Sequence, residues 1–148
     1  MVIGFITGPF MSPVVEDGAM IVNGKRVISK GNVISGRNNY YQSYVTIKRG
    51  LYEKSHTVIG DDNYFSSFVN IGHNSKIGNN NFFAPGAKIA GGVTIGNNVY
   101  LGMNSCVVQD VTIGDWVKVA AGNVITKNVP SNTYVTTEGE YRPNVHPK

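Results

Sequence analysis

Apolar side chains recur at every sixth position through the middle of the chain, without interruption, from Ile59 to Ile125. The twelve positions of this register are Ile59, Phe65, Ile71, Ile77, Phe83, Ile89, Ile95, Leu101, Val107, Ile113, Val119 and Ile125. The residue after most of them is glycine or alanine, and the residue four places on is usually small or β-branched. A period of six matches neither the 3.6-residue period of an α-helix nor the two-residue period of a plain strand. It predicts an all-β solenoid in which each hexad forms one short strand and one corner.

The register also predicts how the chain is organised. We expect a single domain over residues 1–148, with regular hexads at 59–130, less regular opening coils or a hairpin within 1–47, and an irregular tail at 131–148. Asn23-Gly24 between two apolar runs is a strong hairpin signal, so a β-hairpin at residues 19–28 and further coils are equal alternatives there.

The register is interrupted ahead of the regular hexads. A second register that includes Val15 and Val33 slips by two residues before Tyr41, and polar Glu53 occupies the next expected apolar position after Ile47. Residues 50–57 are therefore predicted to form a loop that leaves the solenoid. In the tail, residues 134–136 are a candidate closing strand. Asparagine and glycine are frequent at the predicted corners, where they tolerate left-handed backbone angles.

Composition narrows the classes of function. The chain has 148 residues, of which 41% are hydrophobic and 15% charged, and its formal net charge is +4. The basic residues form no stripe and no nucleic-acid motif, so a nucleic-acid partner is not expected. Cys106 is the only cysteine, which excludes an internal disulfide and a multi-cysteine metal site. The apolar opening lacks a basic region and contains Gly8-Pro9, which predicts a cytoplasmic protein with no membrane partner.

The hexads resemble those of the left-handed β-helix hexapeptide acyltransferases. Two branches are similar: the UDP-N-acetylglucosamine acyltransferases, through the segments 45–50, 71–74 and 87–91, and the nucleotide-amino-sugar N-acetyltransferases, through 71–74 and 101–105. The resemblance implies a left-handed parallel β-helix shaped as a triangular prism, with three hexads per coil. It also implies a homotrimer whose active sites lie in grooves between subunits.

Three hexads per coil place residues eighteen apart on top of each other, about 4.8 Å apart. His73 is third in its hexad and therefore lies at a corner, with Gly91, Gln109 and Lys127 stacked above it. A histidine can remove a proton from an attacking amine or hydroxyl, and an open backbone N–H can stabilise the oxyanion of acyl transfer. This stack is the candidate site.

The resemblance assigns roles to individual positions. It implies that His73 is the general base and that the Gly91 N–H binds the thioester oxygen. The expected acceptor-binding positions are Gln109, Asn70 and Phe82. In the UDP-N-acetylglucosamine acyltransferases, the residue that matches Gln109 contacts the acceptor sugar, and the residue that matches Asn70 is a histidine. Phe82 matches an active-site histidine of the nucleotide-amino-sugar N-acetyltransferases. The expected donor-binding positions are Gly92, Ala120 and Lys127. No metal site is expected.

The function predicted from these observations is acetyl-CoA-dependent acetylation of an amino group, or less readily a hydroxyl, of a sugar or nucleotide-sugar. One alternative is transfer from an acyl carrier protein to a nucleotide sugar, and another is a non-catalytic scaffold. Zinc-dependent lyase chemistry on the same fold is disfavoured, because the closely spaced pair of histidines it needs in one subunit is missing.

Overall fold

The computed structural model describes residues 2–3 and 13–145, with side chains from residue 13 on, and every regular element in these ranges is a β-strand. Three sheets, parallel except for the last strand of one of them, form the faces of a triangular prism, as expected. All twelve residues of the six-residue register point inward and are at most 3% exposed. Across the described ranges, no helix is long and apolar enough to cross a bilayer.

The strands of each face stack along the prism axis. Face one contains Val2–Ile3 (β1), Asn32–Ser35 (β5), His56–Ile59 (β8), Lys76–Ile77 (β11), Thr94–Ile95 (β14) and Thr112–Ile113 (β17). Face two contains Val14–Glu16 (β2), Thr46–Lys48 (β7), Asn70–Ile71 (β10), Lys88–Ile89 (β13), Cys106–Val107 (β16) and Val124–Ile125 (β19). Face three contains Tyr40–Tyr41 (β6), Tyr64–Phe65 (β9), Phe82–Phe83 (β12), Tyr100–Leu101 (β15), Lys118–Val119 (β18), Thr133–Val135 (β20) and Tyr141–Pro143 (β21).

The fourth residue of each hexad makes the corner. From Asp62 to Gly122, every sixth residue has a positive φ. Most of these residues are asparagine, aspartate or glycine, which adopt the left-handed conformation at least cost. Phe68 and Trp116 are exceptions with φ of 65° and 56°, and both side chains are exposed. The corner role predicted for asparagine and glycine is therefore confirmed.

The opening of the chain departs from the regular coil in two places. Ala19–Val22 (β3) and Lys25–Ile28 (β4) form an antiparallel hairpin that turns at Asn23 and Gly24, so the hairpin alternative is the correct one. Ile47 then pairs with Ile71, twenty-four residues on instead of eighteen, because the loop 49–55 adds six residues. The predicted loop is confirmed with slightly different bounds.

The sequence predicts an irregular segment at 131–148, and within the described residues 131–145 this expectation is corrected by two strands. β20 continues face three at the expected closing strand, and β21 folds back antiparallel on it. Tyr141 packs against the core from this edge strand. Pro143 is the last residue of β21. Proline has no N–H, and an edge strand tolerates this because the N–H groups on its outer side have no neighbouring strand to pair with. The two strands extend face three beyond β18.

Ser35 is a polar residue at a position that stacks on the apolar register. Ser35 pairs with Ile59 and is buried, and its hydroxyl lies 3.1 Å from the Tyr41 hydroxyl and 3.1 Å from Asn39 Nδ2. Tyr41 itself is 1% exposed. This burial raises the pKa of the Tyr41 hydroxyl well above the ordinary tyrosine value of about 10.

The buried Tyr41 predicts a loss of stability at high pH. Above pH 10 the unfolded chain releases the phenolic proton while the folded chain retains it, so the free energy of unfolding falls by up to about 1.4 kcal/mol per pH unit. We expect Tyr41→Phe to remove this part of the slope, measured by urea unfolding between pH 9 and 11. Tyr44→Phe, at an exposed corner, is the control and should retain it. Equal slopes in wild type and Tyr41→Phe would contradict the prediction.

Candidate active site at the histidine corner

The edge where the chain passes from face two to face one carries His73 and is called the histidine corner. It consists of residues 72–75, 90–93, 108–111 and 126–128, together with the two insertions, the hairpin arm 17–31 and the loop 49–55. Both insertions of the chain's first half therefore leave the prism at the edge where His73 lies. The regular coils stack beside them with paired strands on either side.

The imidazole of His73 lies directly over Gly91. A Cβ placed on Gly91 would be 2.5 Å from His73 Nε2 and 2.5 Å from Cε1, so only glycine leaves room for the ring. On the other side, a Cβ on Gly18 would be 2.9 Å from the His73 Cβ. The ring is thus held between the base of the hairpin and the next coil, with Nε2 against the Gly91 backbone.

The third residues of the hexads at the histidine corner, His73, Gly91 and Gln109, differ in their backbone hydrogen bonding from those at the edge between faces one and three. At the edge between faces one and three, the third residue of each hexad donates its N–H to a side-chain oxygen of the next coil. These N–H donors belong to Asp61, Asn79 and Asn97, at 2.7 to 2.8 Å. Within residues 13–145, the Gly91 N–H has no such acceptor. It is therefore a donor that a ligand oxygen can use.

The tautomer of His73 follows from its neighbour. Asn74 Oδ1 accepts the Leu51 N–H at 3.1 Å and lies 3.2 Å from His73 Nδ1. Because this oxygen is an acceptor, Nδ1 carries the proton and donates it, which leaves the lone pair on Nε2. The Asn74 N–H in turn donates to Thr57 Oγ1 at 2.8 Å. The loop 49–55 thereby helps to orient the base.

This arrangement predicts a measurable change of tautomer. In the wild-type chain the ¹⁵N resonances of His73 should identify the neutral ring as protonated on Nδ1. Asn74→Ala should move the proton towards Nε2, the form that free imidazole side chains favour in water, because the acceptor is lost. Asn98→Ala removes an asparagine at the same hexad position on another edge and should leave the spectrum unchanged. A wild-type ring protonated on Nε2 would refute the assignment.

The structure brings five of the predicted residues to one corner. His73, Gly91, Gln109 and Lys127 stack in successive coils, as the pairing of Ile71, Ile89, Val107 and Ile125 requires. Gly92 follows Gly91 at a φ of 71°, and a Cβ there would lie 2.2 Å from the Asp110 Oδ1. Gln109 is exposed, and the Lys127 ammonium lies 4.8 Å from the centre of the Tyr141 ring.

The other three predicted residues lie elsewhere. Asn70 is on face two, three residues before His73, and its amide donates to Thr46 Oγ1. Phe82 is on face three within a stack of rings, and Ala120 lies at the edge between faces three and two. Phe82 and Ala120 therefore do not meet His73 within one chain, and their roles stay predictions. In the regular coils, residues lie at the same edge only when they are separated by a multiple of eighteen residues. Phe82 comes nine residues after His73, so it lies half a coil away from the histidine corner.

Asn74, Leu51 and Gly18 are contacts of the site that sequence reasoning missed. The sequence did contain one indication of Asn74. It directly follows His73, at the hexad position where asparagine adopts the left-handed conformation. Leu51 and Gly18 belong to the two insertions, which have no repeat to define their course.

Comparisons with known proteins give the same picture of the fold. The bacterial transferase hexapeptide (six repeats) family matches residues 56–91 and 92–127. Among curated proteins, none matches the chain. The structural neighbours are left-handed β-helices, so the predicted handedness is confirmed.

Solved structures of two sugar-nucleotide acyltransferases are similar. UDP-N-acetylglucosamine acyltransferase from Arabidopsis is 30% identical with a TM-score of 0.73, over 76% of this chain and 40% of that chain. The enzyme from Moraxella catarrhalis is 28% identical with a TM-score of 0.74, over 77% of this chain and 45% of its own.

An acetyltransferase shares the fold alone. The acetyltransferase domain of PglB from Neisseria gonorrhoeae, in complex with acetyl coenzyme A, is 19% identical with a TM-score of 0.57, over 96% of this chain and 54% of that one. The chain spans 40 to 54% of the length of these three proteins.

Proposed function

Because the chain belongs to the hexapeptide-repeat transferase family, we propose that it is an acyltransferase with its active site at the histidine corner. The observation that carries the proposal is the meeting of two groups at one point. An unprotonated imidazole nitrogen of His73 lies against Gly91, whose N–H has no acceptor within the part of the chain that the structure describes. Acyl transfer needs one base and one oxyanion donor, which is what this pair supplies.

The proposed reaction is a direct transfer without a covalent enzyme intermediate. His73 Nε2 removes the proton of an acceptor amine or hydroxyl while the acceptor attacks the thioester carbonyl. The carbonyl oxygen gains negative charge and accepts the Gly91 N–H. When the tetrahedral intermediate collapses, the C–S bond breaks, the thiolate leaves, and the imidazolium returns its proton to the sulfur. The acyl group ends on the acceptor and a free thiol is released, so atoms and charge balance.

For the substrates, we propose acetyl-CoA as donor and an amino group of a sugar or nucleotide-sugar as acceptor, with a hydroxyl as the less favoured nucleophile. The relatives at 28 and 30% identity act on a UDP-linked sugar, which supports a nucleotide-sugar acceptor, and the relative at 28% identity is an O-acyltransferase, which supports the hydroxyl as nucleophile. Gln109, one coil beyond Gly91, is placed to contact the acceptor, and Gly92 and Lys127 to contact the donor. These assignments are proposals.

We also propose a cytoplasmic homotrimer. The outward side chains of face three form a stacked aromatic row, Tyr64, Phe82 and Tyr100, with ring centres 5.0 and 5.6 Å apart. Phe82 and Tyr100 are about two-fifths exposed, which gives a second copy an apolar surface to cover. In such an assembly Phe82 would reach the site of a neighbouring subunit, although it does not reach the site of its own.

The test is thiol release from acetyl-CoA by the wild-type chain, with a panel of nucleotide-linked amino sugars, free amino sugars and neutral sugars. Release that depends on one class of acceptor supports the proposal and identifies the nucleophile. Acetyl-, butyryl- and longer acyl-CoA donors define the chain length in the same assay. Absence of acceptor-dependent release with every donor and acceptor would overturn the proposed acyl transfer from CoA.

A further inference from the structure

A cavity of about 530 Å³ adjoins the histidine corner on the side of face one. It lies between the end of the loop 49–55 and the strands β8 and β11. Six residues line it: Lys54, Ser55, His56, Val58, Asn74 and Lys76. Its volume is within the range of small-molecule sites.

The lining of this cavity is cationic. Two of its six lining residues are lysines, Lys54 and Lys76, and no aspartate or glutamate lines the cavity, since Glu53 of the same loop lies outside the lining. Neither lysine takes part in an ion pair or a side-chain hydrogen bond within residues 13–145. By contrast, Lys48 and Arg49 nearby are paired with Glu16 and Asp17. Two unpaired ammonium groups at one cavity attract an anionic ligand.

His56 supports the same conclusion from a different observation. Its Nδ1 is buried and has no hydrogen-bond partner among the described residues, a rare condition for a polar atom in a folded chain. Since Nδ1 is enclosed, Nε2 is the nitrogen through which this side chain can interact with a ligand. In the tautomer that carries its proton on Nε2, this nitrogen can donate a hydrogen bond to an anionic ligand.

The cavity and the proposed base share one residue. Asn74 lines the cavity, and its Oδ1 lies 3.2 Å from His73 Nδ1. A ligand group in the cavity is therefore one side chain away from the imidazole. An acceptor whose nucleophile is at His73 Nε2 has to extend past Asn74 to bring another of its groups to Lys54 and Lys76.

We propose that the acceptor carries an oxyanion group, a phosphate or a carboxylate, and that the cavity of Lys54, His56 and Lys76 binds it. This inference rests on the proposed function and restricts it: neutral sugars are excluded as the preferred acceptor. The lysines act as point charges, so they hold the anion without fixing one orientation. Orientation then comes from the nucleophile at His73.

Binding to the full chain is measured by calorimetry with three anionic probes, inorganic pyrophosphate, UDP and glucuronate, and with neutral N-acetylglucosamine. The Lys54→Gln/Lys76→Gln double variant should weaken binding of the anionic probes at least about tenfold, the scale of one lost charge-assisted hydrogen bond. Preference for pyrophosphate and UDP identifies a phosphate, and preference for glucuronate a carboxylate.

A charge-matched variant separates a site from general attraction. Arg37→Gln/Arg142→Gln also removes two positive charges from the formal net charge of +4, but at the edge between faces one and three and on β21. We expect it to bind the probes almost as wild type does. Equal weakening in both double variants, or wild-type chain that binds no anionic probe, would overturn the inference.

Thiol release distinguishes this inference from the proposed function. With an anionic acceptor, Lys54→Gln/Lys76→Gln should raise KM about tenfold or more and change kcat little, because the lost contacts are remote from the reacting atoms. Release that prefers neutral sugars and is unaffected by the double variant would overturn the anion site and retain acyl transfer. Site-specific anion binding without thiol release from any donor would overturn acyl transfer and retain the anion site.

Discussion

We expect His73→Ala to lower kcat/KM for acceptor-dependent thiol release by about 10²- to 10⁴-fold, the range of a lost general base. The nucleophile would then have to lose its proton to water at the moment of attack. Alanine fits the space, because the imidazole is half-buried at a corner and contacts Gly18 and Gly91 through its side chain alone. The measurement is steady-state thiol release at saturating acetyl-CoA, with unfolding midpoints recorded for both chains.

Met103→Ala is the matched control for this variant. Met103 occupies the same position of its hexad, is exposed and lies at a different edge of the prism. It should retain wild-type release. A fully folded His73→Ala chain that releases thiol at the wild-type rate would remove His73 from the mechanism while leaving the acyltransferase proposal in place.

The fold was predictable because two independent constraints of the repeat agree. The inward position needs an apolar side chain, and the corner three residues later needs a residue that tolerates a positive φ. Ile71 and Asn74 satisfy these constraints in one hexad, and Ile95 and Asn98 satisfy them in another. Local and global preferences that support each other in this way specify one structure.

The candidate site was predictable only as far as the repeat extends. Stacking at eighteen residues places His73 beneath Gly91, and the structure confirms that contact. The hexads do not determine where the insertions go, so the contact of Leu51 with Asn74 had no signal in the sequence. Ser35 could not be predicted for a different reason. It lies at an inward position, but because it is polar, the search for apolar residues at every sixth position does not find it. Its partner Tyr41 becomes evident only in the folded chain.

The second large effect is expected from Gly91→Ala. The three atoms nearest to the new Cβ all belong to the His73 ring, two of them at 2.5 Å, so the methyl group cannot be accommodated unless the ring moves. The displaced ring loses its place over the Gly91 N–H, and the methyl group also obstructs the approach of a thioester oxygen. Loss of one oxyanion donor alone costs about 10²- to 10³-fold in kcat.

A double-mutant cycle separates the clash from the chemistry. Gly91→Ala should lower the free energy of unfolding by roughly 1–3 kcal/mol, the usual cost of overpacking. His73→Ala/Gly91→Ala removes the ring that the methyl group meets, so most of this stability should return while thiol release stays at the His73→Ala level or below. If the double variant is as unstable as Gly91→Ala, the clash is with backbone, and the ring does not lie over Gly91. If Gly91→Ala retains wild-type release, the Gly91 N–H is not the oxyanion donor.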